Sequence, residues 1–436
     1  MPYDIVIGRN EKEIKELGNK GLIFYAKAYV KMGPISSLSN RIFLDVAKSH
    51  TILVAGKKGS GKSYSLSIIA EEMSMLPEDI KYNLAVLMLD TMGIFGGMKY
   101  PNYKQIDELR DWGLEPKGLP VKVFVPKGKF QEYKDKAIPA DHMFAIKPSE
   151  LSSEEWCNVF QLKITDNLGI LIEKILARLK EKNKDYNIDD IIDEIRRDER
   201  TENHVKDATE NRFQAAKSWG LFDKEGFEIK DIIKGGQVSI LDTSAYDDWN
   251  IKSLAVGIVC KKLFNERVAS RKLEEAKEIE YSQHYLRVEK EEKQENPLVW
   301  IFIDEAHELL PREGINPAMP ALIQILREGR QPGITLVMAT QQPGEIHHDV
   351  ITQSDIVISH RITAKRDVEA LNAINQSYLT EGILGYLNDL PKVKGAGIIL
   401  DDNNERIYPI KVRPKISWHG GDTPSAVKIK KELLKI

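Results

Sequence analysis

The stretch TILVAGKKGSGKS, residues 51–63, decides the fold. Its first five residues carry no charge, which predicts a strand covered on both faces, as in a parallel sheet between helices. The glycine-rich loop leads into YSLSIIAEEM, residues 64–73, which has helical periodicity. A strand, a loop of the form G-x-x-x-x-G-K-S and a helix, in this order, predict a site that holds phosphate groups.

Each residue type in this loop has a chemical role. The glycines let successive backbone N–H groups point toward one centre, and the helix N-terminus adds a partial positive charge. Lys62 would reach the β- and γ-phosphates of a nucleoside triphosphate, and the Ser63 hydroxyl would bind Mg²⁺. We therefore predict ATP and Mg²⁺ as cofactors. The predicted ATP-binding residues are Gly56, Lys57, Lys58, Gly59, Ser60, Gly61, Lys62, Ser63 and Tyr64.

Further short apolar runs alternate with helical patterns, which predicts an α/β fold with a mainly parallel sheet. These predicted strands are 84–89, 238–241, 299–303, 334–339 and 355–359. Apolar residues at helical spacing predict helices at 167–183, 188–197 and 204–219, and the tail 392–414 is typical of a hairpin with its turn at 401–404.

A pair of acids marks the predicted hydrolytic site. Asp304 and Glu305 end the strand 299–303, and the carboxyl ends of parallel strands open onto one crevice. Asp304 would hold Mg²⁺ together with Ser63, and Glu305 would polarise the attacking water as a general base. Alternatively, the two acids only begin the following helix, where negative charge is favourable. The doubled acid argues against a small-molecule kinase, in which a substrate hydroxyl attacks instead of water.

Two more residues complete the predicted catalytic set. Gln341 follows the apolar run 334–339, where its amide would sense both the γ-phosphate and the water. The alternative is that this strand end merely needs a polar residue. Arg330 follows Gly329 at the end of a predicted helix, a placement that suits an arginine finger acting on the neighbouring subunit's nucleotide. In that case isolated subunits hydrolyse poorly.

Composition excludes several classes of protein. The 436 residues include 63 Lys and Arg against 66 Asp and Glu, a formal net charge of −3, so any nucleic-acid contact needs a local patch. The two cysteines, Cys157 and Cys260, lack the spacing of a zinc site or a disulfide scaffold. No apolar run reaches the roughly 18 residues that span a bilayer. We therefore expect a soluble, cytoplasmic protein that makes no membrane contact.

Together these motifs resemble the HerA–FtsK superfamily of hexameric ATPases, in its archaeal HerA-like branch. The segments that carry the resemblance are SHTILVAGKKGSGKS (49–63), VLMLDTMGIF (86–95), VSILDTS (238–244), VWIFIDEAHELL (299–310), LREGRQPGITLVMATQQP (326–343) and SWHGGDTP (417–424). By position, the resemblance implies that Lys62 and Ser63 bind Mg·ATP, that Asp304 and Glu305 hydrolyse it, that Gln341 senses it, and that Arg330 of an adjacent protomer completes the site.

The resemblance also implies an architecture, a RecA-like P-loop NTPase core with a helical insertion and a short N-terminal β element. The division we expect is an N-terminal β element at 1–45 (an abbreviated barrel or docking segment), an ATPase core at 46–95 and 235–425, a mainly helical insertion at 96–234, and a C-terminal tail at 426–436. Family members in the repair role carry a larger N-terminal barrel, so the short segment weakens the expectation of nuclease docking.

The family pumps double-stranded DNA through a central pore, and HerA pairs with the nuclease NurA to resect DNA ends. We therefore expect a homohexameric motor that translocates along or unwinds duplex DNA without sequence preference in DNA end processing, with a NurA-like nuclease as a candidate partner. Conjugation-type and viral packaging ATPases share the hydrolytic residues. The main alternative is a nucleotide-switched assembly ATPase that acts on a protein, a nuclease or defence effector, without translocation.

Basic residues in three predicted loops are the candidate DNA contacts. A ring would concentrate few basic side chains into a strong field, and phosphate contacts of this kind weaken steeply with salt. Alternatively, each group is an ordinary solvated surface cluster. The candidates are Lys99, Lys104, Lys122, Lys127, Lys129, Lys365 and Arg366.

Overall fold

The computed structural model describes residues 3–32, 35–182, 185–283, 296–373 and 383–421. Within these ranges 13 strands form one sheet, in the order β1-β3-β2-β13-β12-β11-β4-β10-β9-β5-β8-β6-β7. The strands are β1 (Ile5–Ile7), β2 (Leu22–Met32), β3 (Ile35–Asp45), β4 (Thr51–Ala55), β5 (Leu84–Asp90), β6 (Lys122–Pro126), β7 (His142–Phe144), β8 (Val238–Asp242), β9 (Leu298–Ile303), β10 (Ile334–Thr340), β11 (Ile356–His360), β12 (Ala396–Asp401) and β13 (Arg406–Val412).

Helices connect the strands and cover both faces of the sheet. The α-helices are α1 (Glu11–Leu17), α2 (Lys62–Ser74), α3 (Glu78–Lys81), α4 (Ile106–Asp111), α5 (Phe130–Asp135), α6 (Ser153–Val159), α7 (Asn167–Lys182), α8 (Ile188–Arg197), α9 (Asn203–Ser218), α10 (Ile229–Ile232), α11 (Trp249–Gln283), α12 (Ala306–Leu309), α13 (Met319–Glu328), α14 (His348–Gln353), α15 (Lys365–Asn372) and α16 (Ile383–Asp389). Short 3₁₀ turns lie at Gly96–Lys99, Tyr103–Gln105, Lys127–Lys129, Pro148–Glu150 and Pro343–Glu345.

The eight neighbouring strands from β11 to β7 are parallel, as the uninterrupted apolar runs predict. Every residue of β5 and of β10 is buried. In β4, Leu53 packs into the core on one face, while Ile52 and Val54 pack into the core on the other. The α/β fold with a mostly parallel sheet is therefore confirmed, and the predicted strands match β4, β5 and β8–β11 to within one residue at each end.

The remaining strands extend the same sheet in mainly antiparallel fashion. The predicted tail hairpin is present, because β12 pairs with β13 from Ala396 opposite Lys411 to Asp401 opposite Arg406. β13 then pairs with β2, and β2 with β3. The N-terminal strands are thus continuous with the central sheet instead of forming a separate layer.

Between β7 and β8 the chain builds a helical layer on one face of the sheet. The three predicted helices are present as α7, α8 and α9, and α6 packs beside them around Trp156 and Phe213, whose ring centroids lie 4.9 Å apart. Capping boxes at Ser152 and Asn187 begin α6 and α8. The chain just before this layer supplies β6 and β7, which join the edge of the central sheet. The segment 96–234 therefore shares that sheet with the rest of the chain.

The longest helix, α11, has 35 residues and follows β8. The lysine- and glutamate-rich run 271–296 begins within this helix, and its residues 284–295 lie outside the described part of the chain. None of the helices in the described part of the chain combines the length and the apolar character needed to cross a bilayer.

Candidate active site

The loop between β4 and α2 curls as its glycines require. Gly59 and Gly61 have φ angles of 76° and 110°, which side chains with a Cβ atom rarely adopt. Lys62 is only 6% exposed, and its Nζ donates to the Lys57 carbonyl at 3.5 Å. Burial lowers the pKa of Lys62, while the nearby Glu305 and Asp304 carboxylates oppose that shift. The ammonium group is therefore held inside the loop, within the field of the acid pair.

Asp304 follows the end of β9, two strands from β4, and meets the start of α2. The Ser63 hydroxyl lies close to its carboxylate, and Asp304 Oδ1 accepts the Glu305 backbone N–H at 3.0 Å. Burial raises the pKa of Asp304, while the Ser63 hydroxyl and the Glu305 N–H act in the opposite direction. A serine hydroxyl beside a carboxylate supplies oxygen ligands of the kind that Mg²⁺ prefers.

Glu305 is strained and partly unpaired. Its φ of 51° lies in the left-handed region, which costs a residue with a Cβ atom about 1–2 kcal/mol. Its Oε2 is buried and has no hydrogen-bond partner among the described residues. Burial and the neighbouring Asp304 raise the pKa of Glu305. Strain together with an unpaired buried carboxylate oxygen is typical of a functional group and not of a helix cap.

His307 lies close to this carboxylate. The only sign of this contact in the sequence is that His307 comes two residues after Glu305. Its Nδ1 is 3.6 Å from Glu305 Oε2 and 3.3 Å from Thr340 Oγ1 at the end of β10. Burial lowers the pKa of His307, so the ring is neutral at pH 7. The histidine thus connects the acid pair with the neighbouring strand end.

The structure places Gln341 and Arg330 at opposite ends of β10. The Thr340 carbonyl accepts the Gly56 N–H at 3.3 Å, so Gln341, the next residue, lies between the glycine loop and the acid pair. Arg330 is exposed and precedes the first residue of β10, at the far edge of the sheet. Lys62, Ser63, Asp304, Glu305 and Gln341 therefore come together, while Arg330 lies outside this set.

A cavity of about 520 Å³ adjoins the loop. Its walls are formed by residues of the glycine loop, by the 3₁₀ turn Tyr103–Gln105 and by the stretch that follows β13. The Tyr64 hydroxyl donates to Gln105 Oε1 at 2.9 Å, and the His419 ring meets the Tyr64 ring edge-on at 5.2 Å. Of the side chains that line this cavity outside the loop, the sequence predicted only Tyr64 as a nucleotide-binding residue. The segment SWHGGDTP, which contains Trp418 and His419, was the only indication of the others. Among these are Asn102, Gln105, Glu108, Trp418 and His419.

A buried ion cluster fastens this last stretch to α2. Glu71 and Arg413 are both fully buried, and Arg413 Nη2 lies 3.1 Å from Glu71 Oε2 and 3.0 Å from Glu72 Oε1. The Ser417 backbone N–H donates to Glu71 Oε1 at 2.9 Å. The helix that begins in the glycine loop therefore also positions one wall of the cavity.

Asp90, at the end of β5, organises the backbone of the turn that follows it. Its two oxygens accept the backbone N–H groups of the four residues 92–95 at 2.7–3.2 Å. Burial, followed by the charge of Asp242, raises the pKa of Asp90 to about 7. The carboxyl group thus holds together the turn that leads to the cavity wall.

The candidate DNA contacts are mostly engaged with acids. Lys99 Nζ is 2.6 Å from Asp141, and Lys127 Nζ is 2.5 Å from Asp223. Other pairs are Lys129 with Glu132, Lys365 with Glu369 and Arg366 with Glu345. Lys104 lines the cavity beside the glycine loop, and Lys122 is exposed at the start of β6.

A glycine loop between a buried strand and a helix, next to a strand that ends in two acids, is the arrangement of P-loop ATPases. The fold is similar to that of VirB4 of Thermoanaerobacter pseudethanolicus, with a TM-score of 0.56 and 11% identity over 91% of this chain and 98% of that one. Residues 30–263, more than half of the chain, match the family described as Helicase HerA, central domain. The chain therefore belongs to the HerA family.

Two curated relatives match over shorter stretches. The DNA double-strand break repair helicase HerA of Pyrococcus furiosus is 29% identical over 143 residues, which are 31% of this chain and 26% of the relative. The probable DNA double-strand break repair helicase HerA of Methanocaldococcus jannaschii is 26% identical over 167 residues, 36% of this chain and 32% of the relative. The matched part thus spans between a quarter and a third of the relatives' length.

Proposed function

We propose that this chain hydrolyses ATP as a subunit of a ring-shaped motor that translocates along or unwinds duplex DNA. The observation that carries the proposal is the buried, unpaired Oε2 of Glu305, beside the Ser63–Asp304 pair and the ammonium of Lys62. Such an oxygen is oriented to receive a proton from water, while its neighbours are oriented to bind phosphate and metal.

The residues fit Mg·ATP. The loop N–H groups and Lys62 would hold the phosphates, and Ser63 and Asp304 would hold Mg²⁺, which neutralises charge on the phosphate oxygens when it is bound. The adjoining cavity of about 520 Å³ would take the base and ribose, with Asn102 and Gln105 as hydrogen-bonding side chains and Trp418 as a stacking surface.

Each residue near the acid pair would then have a defined task. Glu305 would take the proton of the attacking water, and its raised pKa brings it closer to working pH than an exposed glutamate. His307 would hold Glu305 in place, and Gln341 would contact the γ-phosphate and the water. Arg330, exposed at the far edge of the sheet, would act on the nucleotide of a neighbouring subunit, which requires a closed oligomer such as a hexamer.

DNA as the cargo is supported by the family and by the names of the two archaeal relatives. The proposed contacts are the seven basic residues given above, of which the exposed Lys122 is the first to test. A role in DNA end processing, a NurA-like nuclease partner and the division of the chain at residues 45, 95, 234 and 425 belong to the same proposal.

A second candidate is a nucleotide-switched assembly ATPase that acts on a protein partner. The observation that favours it is the engagement of five candidate DNA contacts with carboxylates, for example Lys99 with Asp141 and Lys127 with Asp223. A cation that already has a carboxylate partner gains less from a DNA phosphate.

The test is steady-state ATP hydrolysis with and without long duplex DNA, repeated across a salt series. A motor predicts stimulation by the duplex that fades with salt, because phosphate contacts release counterions. Hydrolysis that ignores DNA at every salt concentration would favour the protein-partner switch. Lys122→Gln should weaken the stimulation, and the exposed Lys272→Gln on α11 is its matched control.

A further inference from the structure

A second polar cavity, of about 330 Å³, lies at the edge of the sheet where the parallel strands begin. His50 directly precedes β4, Gly333 precedes β10, and Leu298 starts β9; all three line it. The glycine loop and the acid pair lie at the other ends of these strands. This cavity is therefore separate from the proposed ATP site of its own subunit.

Basic side chains outnumber acidic ones in this cavity. The acids are Glu13, Glu274 and Asp355, and the basic side chains are Lys48, His50, Arg267, Arg271 and Arg330. Burial lowers the pKa of His50, but hydrogen bonds to Asp355 and Asp45 outweigh it and raise the pKa to about 9, so the ring is charged at pH 7. A concave surface with excess positive charge concentrates anions.

Arg267 is the most deeply buried of the cationic groups, with a side chain only 4% exposed. Its Nε donates to the Pro332 carbonyl at 2.8 Å, and its Nη1 donates to the Asn296 carbonyl at 2.9 Å and to Glu274 at 3.1 Å. Its Nη2 has no hydrogen-bond partner among the described residues. A buried donor without an acceptor is unfavourable, so this side chain has an unused donor that is buried just behind the cavity wall.

Arg271 and Arg330 also have N–H donors that are free to bind a ligand. Arg271 is about one-third exposed and reaches Glu274 and Glu278 only at 3.5 Å and 3.3 Å. Arg330 is exposed and makes no side-chain hydrogen bond or ion pair within the described ranges. Guanidinium groups present parallel N–H donors that match two oxygens of a phosphate group.

We propose that this cavity binds a phosphate group, held by Arg267, Arg271 and Arg330, while Lys48, which pairs with Glu13, lies at the rim. Three ligands could supply this phosphate group: the nucleotide of a neighbouring subunit, the backbone of duplex DNA, or free inorganic phosphate. The binding itself does not depend on hydrolysis, so it can be tested separately from the proposed motor activity.

The experiment titrates the full chain with pyrophosphate by calorimetry, in a Lys62→Ala background that disables the glycine loop. We expect one binding event per chain, weakened about tenfold by Arg271→Gln because one charge-assisted contact is lost. Lys48→Gln gives a second, independent variant at the cavity rim. Lys272→Gln, the next residue on α11 and outside the lining, should leave the affinity unchanged. Thermal melting checks that each variant is folded.

Competition then identifies the source. Displacement of pyrophosphate by a duplex points to the DNA backbone. Displacement by wild-type subunits loaded with a non-hydrolysable ATP analogue points to the neighbour's nucleotide, and displacement by neither points to free phosphate. The proposal is overturned by no pyrophosphate binding in the Lys62→Ala protein, or by binding that Arg271→Gln and Lys48→Gln leave as strong as the control.

Discussion

The acid pair at one edge of the parallel sheet and His50 at the other edge use their charges in opposite ways. At the carboxyl ends, Lys62, Asp304 and Glu305 face one another with a strained φ at Glu305 and an unpaired Oε2. At the amino ends, His50 lies 2.7 Å from Asp355 and 3.4 Å from Asp45, a fully partnered group. Unpaired groups are available to a ligand, and paired groups stabilise the fold. Changes at the first edge should therefore alter activity, and changes around His50 should alter stability.

The largest expected effect is at Glu305. Glu305→Gln removes the proton acceptor while it keeps the size of the side chain, so hydrolysis should fall by about 10³-fold. ATP affinity and the unfolding free energy should stay near the wild-type values. Steady-state turnover, together with nucleotide binding by calorimetry, measures both.

Glu308→Gln is the matched control for that variant, because Glu308 lies three residues away with a side chain 44% exposed. It should hydrolyse ATP at close to the wild-type rate. Equal losses in the two variants would show that charge near α12, and not the carboxylate of Glu305, controls the reaction.

The second-largest effect concerns paired charges near the glycine loop. Arg413 forms buried ion pairs there with Glu71 and Glu72. Arg413→Met leaves Glu71 and part of Glu72 buried without their cation, which should cost about 4 kcal/mol of unfolding free energy. Denaturant unfolding measures the loss. The double variant Glu71→Leu with Arg413→Met should recover part of it, since the fully buried Glu71 carboxylate is then no longer left without its cation. A double variant as unstable as the sum of the singles would contradict a direct ion pair.

The sequence predicts those residues of the active site that lie at or just after the ends of strands. Continuous apolar runs reveal parallel strands, and parallel strands bring their carboxyl ends together, so Lys62, Ser63, Asp304 and Gln341 could be grouped without a structure. The unpaired Oε2 of Glu305 could not be predicted, because burial of one atom depends on packing from several elements.

Contacts between residues that are far apart in the sequence could not be predicted from it. Glu71 and Arg413 are 342 positions apart, and His50 and Asp355 are 305 apart, so no local pattern connects them. The strand β3 was not singled out either, because its first residues, ISSLSN, are largely polar. The cavity at the amino ends needs the fold as well, since its basic residues come from separate elements.

A smaller effect tests the amino-end edge through pH. The His50 pKa, raised to about 9 by Asp355 and Asp45 against the effect of burial, lies above its unfolded value of 6.5. A raised pKa means that the stabilisation is fully present below about pH 6.5 and is lost as pH rises through 9. The contribution should be about 3 kcal/mol, since each tenfold gain in proton affinity corresponds to roughly 1.4 kcal/mol.

The measurement compares unfolding free energies of the wild type and His50→Gln from pH 6 to pH 10. The wild-type advantage should shrink across this window. Lys415, whose pKa burial lowers to about 8, titrates in both proteins and cancels in the difference. A constant gap at every pH would show that His50 stabilises by packing alone. Arg9 pairs with Asp45 at 2.6 Å and is unchanged in both proteins.

The smallest effect concerns His307, which we place as a positioning residue between Glu305 and Thr340. His307→Gln should lower kcat about tenfold with KM unchanged, because a slightly displaced base costs rate and not binding. At 3.6 Å the neutral imidazole is too far from Glu305 Oε2 for a hydrogen bond, but in its Nδ1–H tautomer its dipole favours the carboxylate over the acid. Without it, the pKa of Glu305 should rise further, and the acid limb of the kcat profile should move to higher pH. A residue that only packs would lower stability and leave that limb in place, so the pH profile decides between the two roles.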